Sequence, residues 1–116
     1  MNIADEVQRV VEALEAAGIR AVVDVRDANP PCVQIAPPAL TYRFGGCAEM
    51  EFAARVMVPD SGASSVLTSI GPYLDTVVSA LGGAPTRADP ETWLLPDGST
   101  VPGYNIVWTH RNRNGV

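Results

Sequence analysis

The stretch AVVDVRDANPPCVQIAPPALTYRFGGCAEMEFAARVMV, residues 21–58, decides the fold. Apolar and polar residues alternate along it at period 2, and Pro30-Pro31, Pro37-Pro38 and Gly45-Gly46 break the runs, the pattern of successive strands joined by turns. The first strand, about Arg20 to Val25, sets Ala21, Val23 and Val25 on one face. Arg26 to Pro31 interrupts it as a rigid turn, because Asp27 and Asn29 favour turns and the prolines fix φ. Cys32 to Ala36 reads as a second strand with Val33 and Ile35 inward, ended by Pro37-Pro38 as an edge or a break. Leu40, Tyr42 and Phe44 share a face of the next strand. Beyond Gly45-Gly46, Met50, Phe52, Ala54, Val56 and Val58 share a face of a longer one, so the two should pair as an antiparallel hairpin. The opposite face of that hairpin carries Thr41, Arg43, Glu49, Glu51 and Arg55, an alternation of charge suited to water or to a polar partner.

Outward from this sheet lie two helices. Ile3, Val7, Val10, Val11, Leu14 and Ala17 recur at helical spacing, Asn2 can cap, Asp5 and Glu6 fall in the first turn, and Gly18 is a stop after which Ile19 can fold back on Leu14. After Pro59 to Gly62, the residues Val66, Leu67, Ile70, Tyr73, Leu74, Val77, Val78 and Leu81 hold helical register until Gly82-Gly83. The stripe keeps phase through Pro72, which predicts one kinked helix; a break into two short helices is the alternative. A further strand can begin at Ala84 to Ala88. Asp89 to Gly103 reads as a loop-rich excursion carrying Trp93, Leu94 and Leu95. Tyr104, Ile106 and Trp108 alternate as a closing strand, and residues 110–116 read as a flexible polar tail. Each helix has one apolar stripe that needs a flat apolar face. The expectation is an α+β fold, a single mixed or antiparallel sheet of about four to five strands covered by two main helices, in one domain over residues 1–116.

Composition narrows the chemistry. Thirteen acids face eight bases, all of them arginine, and the net charge of -5 disfavours sequence-specific or general nucleic-acid binding unless Arg111, Arg113 and His110 form a local patch. Without lysine there is no Schiff-base or phosphate-loop lysine. Two acids near the N-terminus and the lack of a long apolar run predict a protein that starts out soluble and cytoplasmic, with no membrane partner. Cys32 and Cys47 lack the neighbours of a zinc site and read as buried, reduced thiols.

Motifs for catalysis are missing. There is no nucleophile elbow, phosphate loop or dinucleotide fingerprint, and the single histidine, His110, stands in the terminal tail. The remaining acid/base candidates are Asp24 and Asp27, which flank Arg26, and Glu49 and Glu51, which share a strand face and could converge on a cation. Exposed strand charges account for Glu49 and Glu51 better than a metal site does, and Arg26 with its two acids reads at least as well as a tie that holds the turn. The reading is therefore no enzyme, no cofactor and no metal. Trp93, Leu94, Leu95, Val101 and Tyr104 sit in turn-rich places; they either fold back as a lid on the core or dock on a neighbour.

Taken together, the amphipathic first helix, Arg26 to Val33 after the first strand, Pro37-Pro38 followed by Leu40 to Phe44, Val58 to Asp60 before a long helix, and the closing aromatic strand resemble the tail terminator proteins of long-tailed actinobacteriophages. The resemblance spans nearly the whole chain. It implies a small α/β subunit that assembles with itself as a ring, a hexamer in that family, on the head-proximal end of the tail tube. Its partners would be the tail tube protein and the head-tail connector or neck protein, and its place would be the virion after assembly in the host cytoplasm. Ring or partner contacts are expected at the turn with Arg26, Asp27, Pro30 and Pro31, on the hairpin face with Arg43, Glu49, Glu51 and Arg55, and at Trp93 and Leu94. A head-side neck adaptor and a binding module for a small apolar ligand, with a pocket under the Trp93 loop, are the alternatives.

Overall fold

A computed structural model describes residues 2–42, 45 and 48–112, except for the side chains of 111 and 112. It shows helix α1 (Ile3–Ala16), strand β1 (Ala21–Val22), a short 3-10 turn (Val25–Asp27), β2 (Cys32–Ile35), β3 (Ala39–Tyr42), β4 (Ala48–Met57), helix α2 (Ala63–Ala80), β5 (Arg87–Leu94) and β6 (Thr100–Asn112). The fold is α+β, with two helices on a mixed sheet of six strands.

Strand order is β1-β2-β4-β6-β5, with β3 paired to β4 beside β2. Only β1 and β2 run parallel; every other pairing is antiparallel. The expected hairpin is present, with Leu40 opposite Met50 and Tyr42 opposite Ala48. Pro37-Pro38 is a break, not an end. β2 and β3 pair with successive stretches of the same edge of β4, and the prolines between them have no N–H for the ladder. This split brings the strand count to six.

Both helices lie on one face, here called the inner face. Val11 and Leu14 of α1 and Val77 of α2 pack with Val33, Ile35, Met50, Phe52, Ala54, Val56, Ile106 and Trp108, the inward residues of β2, β4 and β6. Phe52 and Trp108 are opposite in register and stack with ring centroids 5.3 Å apart, a contact that contributes about 1 kcal/mol for the pair beyond the burial of the two rings. The Asn2 side chain accepts the Asp5 N–H and caps α1. At its other end Ile19 N–H donates to the Leu14 carbonyl and Gly18 N–H to that of Glu15, with Gly18 at φ 81°. That is the glycine-terminated stop read from the sequence. Gly82 and Gly83 close α2 by the same two bonds, to Ser79 and Val78. Pro72 is accommodated within one continuous helix.

Four local expectations are corrected. The first strand is only Ala21–Val22, because Asp24 draws the chain into the 3-10 turn by accepting the Arg26 N–H. The stretch from Asp89 to Gly103 is not loop-rich: β5 and β6 run through it and leave only a short turn at residues 95–99. Pro90 is tolerated because β5 is an edge strand. Leu95 N–H donates to the Ser99 carbonyl, bonded positions recur every second residue toward Arg87, and Pro90 falls at a position facing away from β6. Residues 110–112 continue β6 and are not tail, whereas 113–116 lie outside the described residues. Finally, Leu67 does not join the core but is 63% exposed, since α2 packs on the sheet through Val66, Ile70 and Val77.

Candidate functional site

The singled-out residues that the structure describes can now be placed. Asp24 caps the 3-10 turn and also receives Arg26, whose Nη2 lies 2.7 Å and Nε 3.0 Å from its Oδ2. These bonds hold the Asp24 carboxyl below the usual carboxylate range and push the Arg26 guanidinium higher. A carboxylate so engaged is a poor general base. Asp27 contributes its backbone, its N–H donating to the Asp24 carbonyl and its carbonyl accepting Arg20 Nη2. The turn then passes through a cis Pro30–Pro31 peptide bond into β2.

The outer face of the sheet, away from the helices, is built in two parts. At one end Val25 and Ala28 of the turn, Cys32, Met57, Val101, Leu95 and the half-buried Trp93 form a second apolar cluster. The excursion with Trp93 therefore folds back on its own sheet. Leu94, between Trp93 and Leu95, is turned the other way and is 71% exposed. Gly103 sits beneath Trp93: a Cβ there would run into the Val56 carbonyl oxygen and come within 2.8 Å of Trp93 Cζ3. Burial pushes the free Cys32 thiol up, so this sulfur is packing and not a nucleophile. Cys47 is outside the described residues.

Toward the other end the outer face is polar. Glu49 and Glu51 lie on it two residues apart, Glu49 half-buried and Glu51 exposed, opposite Arg111 and Thr109 in the register of β6. Arg55 is half-buried, and its Nη1 donates to Gln34 Oε1 at 3.2 Å. Gln34 in turn donates from Nε2 to the carbonyls of Val23 and Ile35. Arg55 is thus held within the subunit and ties β4 across β2 to the β1 edge. Gln34 was not singled out in the sequence, where a polar residue between Val33 and Ile35 reads as an ordinary solvent-facing position; its burial comes from the turn folding over it. Arg43 lies outside the described residues. Of the expected contact residues, Glu51 and Leu94 are exposed, Arg26 is exposed but paired, and Trp93 and Arg55 are committed inward.

Two apolar hollows were not legible in the sequence. One, about 590 Å³, runs on the inner face between the first half of α2 and the β5–β6 hairpin, with Val66, Ile70, Pro90, Pro102 and Tyr104 among its walls. It is on the opposite side of the hairpin from Trp93. The other, about 540 Å³, lies between the start of α1 and the end of β2, with Ile3, Val7, Val23 and Ile35 among its walls. A smaller crevice of about 270 Å³ separates the helices near Trp108, rimmed by Glu6, which pairs with Arg9 at 3.4 Å and His110 at 3.7 Å.

Among the described residues, no group of three or more His, Cys, Asp and Glu side chains could hold a metal ion, and no helix is long and apolar enough to cross a membrane. In comparisons with known proteins, no family model matches the chain and no curated protein matches it.

Proposed function

We propose that the chain is a structural subunit of a phage tail, a terminator that assembles as a ring on the head-proximal end of the tail tube, stops its growth and offers a surface to the head connector. The sequence resemblance from Arg26 to Val33 and through Leu40 to Phe44 motivates the reading. The observation that carries it is the one-sided construction of the sheet. Both helices cover the inner face, while Glu51 on the outer face and Leu94 on the edge strand β5 are exposed. Paired or buried titratable groups such as Asp24 and Cys32 support a geometric role over catalysis.

Tube polymerisation tests the proposal. Tail tube protein of the same phage, assembled with increasing amounts of this chain, should give shorter tubes with added density at one end in negative-stain images. Tubes of unchanged length with both ends bare overturn it. A second reading, a binding module for a small apolar ligand, is favoured by the 590 Å³ hollow, whose size suits such a ligand. Saturable binding of an apolar dye by a protein that ignores tubes would select it.

A further inference from the structure

Backbone groups at two flanks of the sheet point away from it without a strand to meet them. β3 pairs only with β4 among the described residues. Ala36 N–H donates to the Ala53 carbonyl, so the odd-numbered residues of β4 turn their backbone groups toward β2 and β3. Ala39 and Thr41 stand opposite Glu51 and Glu49 and take those bonds, which leaves the N–H and C=O groups of Leu40 and Tyr42 pointing outward. On the other flank β5 ends at Arg87, opposite Val107, while β6 runs on to Asn112. The Val107 carbonyl accepts the Thr86 N–H, so Thr109 and Arg111, at the same parity further along β6, also turn their backbone groups outward.

These segments differ from the rest of the rim. β5 carries Arg87, Asp89 and Glu91 and the edge proline Pro90, devices that keep a strand from pairing sideways, and β1 is only two residues long. From Ala39 to Tyr42, β3 has neither charge nor proline, and Tyr42 is 72% exposed.

The two open segments also fit one another. β3 and β6 run parallel, since each is antiparallel to β4, so a second copy in the same orientation sets its β3 parallel to the open end of β6. In a parallel ladder a residue bonds the neighbours of the one it stands opposite, as Val33 does in donating to the Arg20 carbonyl while opposite Ala21. Leu40 then bonds Thr109 and Arg111 and stands opposite His110. Leu40 and His110 are each opposite Met50 within the subunit, on the inner face, so this match continues the inner face of one copy into that of the next. Antiparallel pairing of the same segments would set Leu40 opposite an outer-face residue and put the helices of successive copies on opposite faces. A contact that keeps both orientation and face is heterologous, repeats from copy to copy and closes when the rotation closes.

We infer that the open edge of β3 pairs in parallel with β6 of a second copy of this chain, with Leu40 opposite His110. The inference rests on the ring-subunit reading and gives that ring its subunit contact. The occupant is a second copy because one chain supplies both edges, with the direction and the faces that the pairing requires. Leu40 arrives beside the 270 Å³ crevice whose walls include Trp108 and His110.

Proline substitution reads which way a backbone group points. Tyr42→Pro removes only an outward N–H at an exposed position and should keep the wild-type circular dichroism spectrum and melting profile. Under conditions where the wild type assembles, alone or on tube ends, this variant should be monomeric by light scattering, whereas Tyr42→Ala, which keeps the N–H, should assemble. Tyr42→Pro assembling as the wild type does overturns the inference. A covalent readout stands apart from any folding defect. In a Cys47→Ser background, Leu40→Cys combined with His110→Cys should oxidise to a ladder of chain multiples on non-reducing gels, and neither change alone should do so. An assembled double variant that gives no ladder overturns the inference. So does a dimer formed by Thr41→Cys alone, which marks two-fold pairing of β3 with β3. If Tyr42→Pro still assembles and shortens tubes, the contact is misplaced and the terminator reading stands. If the wild type neither self-associates nor binds tube ends, that reading fails and takes this contact with it.

Discussion

Along β4, Met50, Phe52, Ala54 and Val56 turn to the helices while Glu49, Glu51, Ala53 and Arg55 turn away from them. The first set is buried almost completely and is shared with Trp108 and Ile106 of β6. The second set ranges from half-buried to exposed, and only at its Met57 end does an apolar cluster cover it. One strand thus separates two duties. Its inner residues supply the hydrophobic gain that holds the domain together, while of its outer residues Arg55 is tied to Gln34 and Glu51 stays exposed. Substitutions on the inner face should therefore register as stability, and those on the open outer face and the edges as assembly.

The largest effect is expected at the centre of the inner face. Phe52→Ala removes a fully buried ring and its stack on Trp108, and should lower unfolding stability in urea by about 3–5 kcal/mol. A loss within 0.5 kcal/mol, the ordinary range for surface positions, would erase the distinction between the faces. Next comes the covered end of the outer face. Gly103→Ala drives a methyl group into the Val56 carbonyl and under Trp93, and should cost about 2–3 kcal/mol while perturbing tryptophan fluorescence. An unchanged melting profile would show that Trp93 is not seated there.

Two smaller effects sharpen the contrast. Tyr73, on α2, buries a hydroxyl that has no hydrogen-bond partner, and burial pushes its pKa up to about 12. Tyr73→Phe should raise stability by about 1 kcal/mol in urea titrations, because a desolvated, unsatisfied group is removed. The wild type should lose stability as pH rises above about 10, where the unfolded chain begins to ionise and the folded one resists; the variant should lack that contribution. A destabilised Tyr73→Phe would mean that the hydroxyl is satisfied after all. At the acid end the sign reverses. Asp24, held low by Arg26, and Asp97, held low by Ser99, contribute stability above the ordinary carboxylate pKa and lose it as pH falls below about 4. Asp24→Asn should flatten part of that acid limb, a result read from unfolding midpoints across the range. The smallest change in stability belongs to Glu51→Arg on the open outer face, expected within about 0.5 kcal/mol of wild type. Its proposed effect is on assembly alone, and full assembly of the variant would remove Glu51 from the contact surface.

The sequence carried the inner face well and the edges poorly. Period-2 runs from Val33 to Val56 and the glycine stops at Gly18 and Gly82 are local signals, each with a local physical cause, and all reappear as strands and helix ends. The run from Asp89 to Gly103 reads as a loop because it holds three prolines, yet a proline excludes a strand only where its nitrogen must donate, and the sequence does not reveal that Pro90 is on an edge strand. Leu67 was misleading in the opposite direction. It keeps helical phase with Val66 and Ile70, but whether a sheet lies beneath that flank of α2 depends on how far β5 reaches. Both hollows arise between elements distant in sequence, such as Ile3 and Val23 or Leu67 and Pro90, so no motif could announce them. Trp93 and Leu94 show the limit most sharply: neighbours in the chain, one folds onto its own sheet and the other faces out.

Light scattering on the purified chain leaving a sizing column, alone and then mixed with tail tubes of the same phage, tests the central claim most directly. The account predicts a discrete ring, at six times the 12.3 kDa chain mass, or a monomer that becomes bound at one end of the tubes. A monomer at every concentration that never associates with tubes would contradict it.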